Sequence, residues 1–169
     1  IKAIGKSQAV IEFDMDGTII NANDNFLNLL GYKLDEVKGK HHNIFCEESF
    51  KNSNEYKQFW NKLNEGIFDS GQYLRIGENK KEVWIQATYN PIMGIDNKPI
   101  KVVKYATDIT THKNMMIEIE KNVAKLNKSL DNLSNASITM SEDAQTTMNG
   151  SELVSSSLTQ IDRKSTRLN

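Results

Sequence analysis

The chain has 169 residues, 38% of them apolar and 25% charged, which is typical of a globular protein with one compact domain and an additional segment. Its 21 basic and 22 acidic side chains nearly cancel, so we expect no nucleic-acid surface, and no apolar run reaches the roughly 18 residues of a membrane helix. The single cysteine, Cys46, excludes an internal disulfide and favours a reducing, cytoplasmic setting, while membrane anchoring through sequence outside the chain stays open.

The first predicted element is a β-hairpin. Residues 9–13 and 18–22 are rich in strand-forming side chains and are joined by Asp14-Met-Asp-Gly17, a composition typical of a tight turn. We therefore predict that Asp14 and Asp16 are turn residues and that Gly17 takes a positive φ angle.

The same stretch, FDMDGTII, also matches the Asp-x-Asp-Gly-Thr signature of haloacid-dehalogenase phosphatases. In those enzymes the first aspartate attacks phosphorus and the second is the general acid/base, which here would be Asp14 and Asp16. That chemistry needs a parallel sheet and a further acidic pair for magnesium, whereas this chain reverses at once and Asp108 stands alone downstream. The phosphatase is the less favoured reading, and we expect no enzymatic activity.

Short helices are predicted after the hairpin. Asn23 or Asp24 can cap a helix that ends at Gly31, and a second helix covers about 34–37. Lys33 stands where a capping box with Glu36 needs Ser or Thr, so this box is expected to be broken.

A longer helix is predicted over residues 55–64, after an irregular or weakly helical segment at 41–50. Its apolar side chains recur at helical spacing and form one aromatic face: Tyr56, Phe59, Trp60 and Leu63.

After Gly71 the pattern changes to strands. Residues 72–76, 82–91 and 100–109, separated by turn-forming stretches, predict a three-stranded antiparallel meander. In the second of these strands, Val83, Ile85, Ala87 and Tyr89 share one face. Together with the hairpin this predicts an α+β fold of five antiparallel strands with short helices on one side.

The last segment, residues 111–161, predicts a coiled-coil helix. One seam advances by alternating steps of four and three residues: Ile119, Val123, Leu126, Leu130, Leu133, Ser137, Met140, Ala144, Thr147, Ser151, Val154, Leu158 and Ile161. A lone helix would leave this stripe in water, so we expect a homodimer rather than a disordered Ser/Thr-rich linker. Gly150 and the small polar seam residues should weaken its far half.

Both ends suggest that the chain is part of a longer protein. It opens on Ile1 rather than Met, and residues 162–169 read like the translation of a sequencing adaptor, so this tail is expected to be non-native.

Five stretches, in order, resemble the PAS sensor domain over residues 8–110: NANDNFLNLLGY, LDEVKGKHHNIF, FWNKLNEG, KKEVWIQATYNPI and KVVKYATDIT. In particular, the chain resembles the PAS domains of bacterial aerotaxis receptors and related methyl-accepting chemotaxis proteins. The resemblance implies a PAS fold, and downstream sequence that binds a chemotaxis kinase and its adaptor.

The same resemblance implies a flavin site. Flavin-binding PAS domains of the aerotaxis type match Asn23, His42 and Trp60, which offer an amide, an imidazole and an indole to FAD. Those relatives have a further asparagine on the first strand of the meander, and this chain has Arg75 at that position. The cysteine motif of the light-sensing relatives is missing, because Asn43 is followed by Ile44, so we reject flavin–cysteine photochemistry.

Each of these residues also has a plain structural role: Asn23 as a helix cap, His42 as a solvated or backbone-bonded histidine, and Trp60 as core. Haem bound through His41 or His42, another ligand, or none are the alternatives to FAD. His41, His42 and Cys46 are too few for structural zinc, and no metal site is predicted.

The leading hypothesis is a redox- or oxygen-sensing input module of a chemotaxis receptor, in which Asp108 and Thr110 couple the sheet to the coiled coil. The main alternative is a cofactor-free PAS domain that only dimerises and spaces its neighbours.

Overall fold

A computed structural model of the protein describes residues 6–165 and divides into two units, one up to Met115 and the other the helix from Met116 onward. The strands are β1 (Ala9–Phe13), β2 (Ile19–Ala22), β3 (Asp69–Ile76), β4 (Glu82–Met93) and β5 (Pro99–Asp108). The helices are α1 (Asp24–Leu30), α2 (Leu34–Val37), α3 (Glu48–Lys51), α4 (Asn54–Asn64) and α5 (Thr110–Ser165), with a 3₁₀ turn at His42–Phe45.

The strands form one antiparallel sheet in the order β2-β1-β5-β4-β3, which confirms the predicted hairpin and meander. β3 begins earlier than predicted, because Ser70 and Gly71 pair with Thr88 and Ala87 of β4 instead of forming a turn. The register places Tyr89 of β4 beside Lys104 of β5, so both side chains belong to the same row across the sheet.

The core lies on one face of this sheet, under the short helices. The predicted inward residues of β4, Val83, Ile85, Ala87 and Tyr89, are all buried. Helix α4 supplies Tyr56, Trp60 and Leu63 to the same cluster, as its spacing predicted.

The hairpin turn has the predicted geometry. Gly17 has a φ of 87°, its N–H donates to the carbonyl of Asp14, and the Asp16 carboxylate accepts from Thr18 N at 2.9 Å. The first helix is capped by Asn23, whose Oδ1 accepts from Phe26 N, and it ends at Gly31.

The prediction of a broken capping box at α2 is only half correct. Lys33 has no acceptor in its side chain, but the Glu36 carboxylate still accepts from Lys33 N at 2.7 Å. Helix α2 therefore keeps one of the two hydrogen bonds of a capping box, the one that the Glu36 carboxylate accepts.

Helix α5 runs without a break through the Ser/Thr-rich segment and Gly150, which argues against a disordered linker. Several hydroxyls donate to the carbonyl four residues earlier, among them Thr139, Thr146, Thr147 and Thr159. The apolar seam residues Leu126, Leu130 and Leu133 are about three-fifths exposed, at 61%, 59% and 67%.

The helix continues to Ser165, four residues past the predicted boundary at 161, and positions 166–169 of the predicted non-native tail lie outside the described residues. Among the helices of residues 6–165, none combines the length and apolar character required to cross a membrane.

Candidate functional site

Five polar side chains form a hydrogen-bonded series from the surface into the core, which we call the polar chain: His41, Tyr56, His42, Tyr89 and Arg75. His42 is fully buried at its centre, with Nδ1 2.9 Å from the Tyr56 hydroxyl and Nε2 3.1 Å from the Tyr89 hydroxyl. The Arg75 guanidinium donates to the Tyr89 hydroxyl at 3.1 Å. The 3₁₀ turn, α4 and β4 therefore meet at one imidazole, and β3 is joined to it through Tyr89.

The outer end of the polar chain lies at a surface groove. His41 Nε2 contacts the carbonyl oxygen of Asp16 at 2.8 Å, so this nitrogen carries the proton, and Nδ1 accepts from Asn43 N at 3.2 Å. The groove has a volume of about 410 Å³. Its walls are Met15, Asp16, His41, Tyr56, Lys57, Trp60, Asn61 and Asn64.

Two basic side chains lie at the inner end of the polar chain. Arg75 is 3% exposed and Lys104 is 0% exposed, and both contact Tyr89, Lys104 with its Nζ 4.8 Å from the ring centroid. Arg75 Nε and Lys104 Nζ have no hydrogen-bond partner among residues 6–165. Asp69, which faces Tyr89 across the strand pair, bonds Lys62 and Tyr73 instead.

Burial sets the protonation of this core. It lowers the pKa of His42 well below its usual value, and the charges of Arg75 and Lys104 lower it further, so the imidazole is neutral at pH 7. Burial also lowers the pKa of Lys104, while it raises the pKa of Cys46 and raises that of Tyr89 to about 12. The tyrosines of the polar chain therefore act as neutral hydroxyls.

The structure brings together two of the three predicted flavin contacts. His42 and Trp60 have ring centroids 5.7 Å apart, and Trp60 is 8% exposed with an indole Nε1 that has no partner among the residues described. Asn23 lies at the start of α1, where its side chain bonds the backbone of Val10, Gln8 and Phe26. The helix-cap role considered for Asn23 is therefore present.

The polar partners of His42 were not predicted as site residues. Tyr56 and Tyr89 appeared only as members of apolar faces, and Arg75 only as the replacement of a family asparagine. Period-two alternation places Tyr89 and Lys104 on inward positions, so a lysine at a core position was the available signal.

The three candidate metal ligands do not converge on one point. Cys46 Sγ lies 3.8 Å from His42 Nδ1, while His41 turns toward the hairpin. In residues 6–165 there is no group of three or more His, Cys, Asp or Glu side chains suited to a metal ion.

The predicted junction residues bind the start of α5 to the sheet. The Asp108 carboxylate accepts from Thr110 N at 2.8 Å, and the Thr110 hydroxyl accepts from Trp84 N of β4 at 3.0 Å. Ile109 N donates to the carbonyl of Trp84 at 2.9 Å, and Lys113 Nζ lies 4.9 Å from the centroid of the Trp84 ring. The backbone of Trp84 therefore bonds Ile109 and Thr110, and its ring contacts Lys113 in the first turn of α5.

Comparison with known proteins supports the resemblance. The PAS domain family matches residues 7–111. The biofilm dispersion protein BdlA of Pseudomonas aeruginosa is 41% identical over 110 residues, which cover 65% of this chain but only 26% of that protein. The similarity thus spans about a quarter of the length of the curated relative.

Solved structures confirm the PAS fold. The PAS domain of a Colwellia psychrerythraea protein matches with a TM-score of 0.57 at 21% identity, over 65% of this chain and 93% of that one. An RNA-binding light-oxygen-voltage receptor matches with a TM-score of 0.62 at 18% identity, over 73% of this chain and 36% of that one. A light-oxygen-voltage domain studied with a flavin analogue has a TM-score of 0.57 at 18% identity, over 72% of this chain and 93% of that one.

Proposed function

The chain belongs to the PAS domain family, and from this we propose that it is the cytoplasmic input module of a bacterial chemotaxis-type receptor. In this proposal the state of the core biases a dimeric coiled coil formed by α5, and downstream sequence passes the signal to a kinase and its adaptor. The observation that carries the proposal is the junction, where Trp84 of β4 contacts Thr110 and Lys113. A shift of β4 is thereby transmitted directly to the beginning of the helix.

The junction is tested by Asp108→Ala. The lost carboxylate acceptor is comparable to a helix cap, worth about 1 kcal/mol, so amide hydrogen exchange at residues 110–115 should accelerate about fivefold. Asp96→Ala is the matched control, because Asp96 accepts from Lys98 N in a turn far from the helix. Equal exchange rates at residues 110–115 in the two variants would contradict a coupling role for Asp108.

Signalling itself is tested by joining the chain through α5 to the kinase-control bundle of a chemotaxis receptor. Kinase output should change between air and nitrogen, and Asp108→Ala should abolish that change without altering the occupancy of any bound cofactor. Loss of the cofactor instead would assign Asp108 to the pocket.

The finer proposal, redox sensing through FAD, is a second candidate. The Trp60 indole N–H, which has no hydrogen-bond partner within the described part of the chain, and the adjoining groove of about 410 Å³ favour it. The centre of the core does not fit a flavin ring as it is arranged, because the His42 ring lies 5.6–5.8 Å from the rings of Tyr56, Phe59, Trp60 and Tyr89. A three-ring system would have to displace at least one of these side chains.

Haem ligation fits less well, because both nitrogens of His42 already have hydroxyl partners and both nitrogens of His41 are engaged. An absorption spectrum of the purified chain, repeated after reduction and after addition of FAD or haemin, distinguishes the cases. A flavin double band that bleaches on reduction supports redox sensing, and a Soret band supports haem. If no chromophore binds, both proposals fail.

The remaining alternatives differ in what they require. A cofactor-free spacing module predicts a dimer whose strength is independent of any ligand. The phosphatase predicts magnesium-dependent hydrolysis of phosphate esters that is lost in Asp14→Asn, and we expect no turnover, because Asp14 and Asp16 form the hairpin turn.

A further inference from the structure

Arg75 forms no ion pair with an acidic side chain of residues 6–165. Its guanidinium donates to the Leu74 carbonyl at 2.8 Å and to the Tyr89 hydroxyl at 3.1 Å, both neutral acceptors. Its Nε has no partner in the part of the chain that the structure describes. A guanidinium stays protonated in proteins, and a buried charge without a counterion is costly. The side chain therefore has both the charge and a free donor for an anion.

Arg75 forms part of the wall of a cavity of about 250 Å³, which we call the Arg75 cavity. Its walls include Glu47, Phe50, Tyr73, Leu74, Arg75 and Trp84. The guanidinium carbon lies 4.8 Å from the Tyr73 ring centroid and 5.9 Å from that of Phe50. The volume is just below the range of about 300–1,000 Å³ for drug-sized ligands, so it suits a small metabolite.

We propose that the Arg75 cavity binds a small organic monocarboxylate, which pairs with the Arg75 guanidinium and acts as a stimulus of this module. The inference rests on the sensory role proposed above and names the class of ligand.

Three features of the cavity favour this class over other anions. The planar guanidinium matches a carboxylate in a two-point contact. The aromatic residues in its wall, Phe50, Tyr73 and Trp84, suit the apolar remainder of an organic acid rather than an inorganic ion. The exposed carboxylate of Glu47 adds one negative charge to the wall and disfavours a dianion.

The position of the cavity explains how such a ligand would act. Trp84 forms part of its wall and also bonds Thr110 through its backbone N–H, while Lys113 lies over its ring. A carboxylate bound at Arg75 therefore adjoins the residue that anchors the start of α5. The effect of binding can therefore reach the output helix through Trp84, without passing through the core.

The test is titration calorimetry on the full chain with three acid and amide pairs: acetate and acetamide, pyruvate and pyruvamide, and benzoate and benzamide. Each amide keeps the shape of its acid and lacks the charge. At least one acid should bind saturably, and its amide at least tenfold more weakly, because a charge-assisted hydrogen bond is lost. Inorganic phosphate should bind more weakly than that acid.

Variants at Arg75 assign the site. Arg75→Gln should weaken the acid at least tenfold, Arg75→Lys should give an intermediate affinity, and Lys98→Gln, which removes an exposed charge elsewhere, should change nothing. The chain has two tryptophans, so the indole N–H resonance of Trp84 should shift more than that of Trp60 on titration.

The proposal is overturned if no acid binds, if an amide binds as tightly as its acid, if phosphate is preferred, or if Arg75→Gln binds normally. Should Arg75→Gln fail to fold, the amide pairs and Arg75→Lys decide the question. None of these measurements uses kinase output, so failure here is distinguishable from failure of the signalling role tested at Asp108.

Discussion

His42 is the residue whose protonation the fold controls most directly. It has no exposed surface, a tyrosine hydroxyl on each ring nitrogen, and two basic side chains nearby, Arg75 and Lys104. The other titratable groups that influence it are His41, Cys46, Tyr56 and Tyr89. A neutral imidazole is the form that fits this environment.

We predict that the pH dependence of stability changes in His42→Phe. The folded-state pKa of His42 is lowered, so below about pH 6.5 the unfolded chain binds a proton that the folded chain does not. The wild type should therefore lose stability as pH falls below 6.5, by up to about 1.4 kcal/mol per pH unit. His42→Phe should lack this loss, although it is about 1–3 kcal/mol less stable at pH 7.5, where the tyrosines lose a partner.

Denaturant unfolding followed by tryptophan fluorescence measures this effect, because both tryptophans lie in the PAS domain. The stability difference between the wild type and His42→Phe should narrow at pH 5. His112→Gln, on the exposed surface of α5, is the control and should follow the wild type. If the free energy of unfolding varies with pH in the same way in the wild type and in His42→Phe, His42 can accept a proton in the folded protein.

At the scale of elements, the β1–β2 hairpin is held by close packing at its turn. A Cβ on Gly17 would lie 2.5 Å from His41 Nε2 and 2.8 Å from Trp60 Cζ2, and the residue has a positive φ of 87°. Gly39 has a similar φ of 78°, but a Cβ there would meet no atom within 4 Å. Alanine substitutions at the two glycines therefore separate the cost of backbone strain from the cost of steric conflict.

We predict that Gly17→Ala destabilises the domain by at least about 1 kcal/mol more than Gly39→Ala. Both variants incur the backbone cost of about 1–2 kcal/mol, but only Gly17→Ala forces His41 and Trp60 to move. Urea unfolding of the two variants gives the difference. Equal losses would mean that the hairpin turn adjusts freely against α4 and that the His41–Asp16 contact does not hold it.

The elements that the sequence predicted well are those set by local periodicity. Alternation in β4, helical spacing in α4 and the turn at Gly17 all depend on neighbouring residues. The start of β3 was predicted too late, because Ser70 and Gly71 suggest a turn unless their partners on β4 are known. The polar chain was missed for a related reason: His42 and Tyr89 are 47 positions apart, and only the fold brings them together.

At the scale of the whole molecule, the exposed apolar seam of α5 is compatible with pairing in a coiled coil. Counting heptads from the predicted seam, Leu126 and Leu133 are both d positions, and Asn135 and Asn149 lie on the outer f positions. In residues 114–161 all side chains are exposed, seam and outer face alike. A second copy of the helix would bury only the seam.

We therefore predict that the double variant Leu126→Glu and Leu133→Glu dissociates the dimer. Four seam leucines are lost per dimer, each worth about 1.5–3 kcal/mol when buried, so the dissociation constant should rise at least a hundredfold. Asn135→Glu with Asn149→Glu adds the same charge on the outer face and should leave the dimer intact. Sedimentation equilibrium of the wild type and the two double variants measures the dissociation constants. If the seam variant stays dimeric, or if the outer-face variant dissociates equally, α5 does not pair through this seam. Transmission of a signal by α5 would then need another interface.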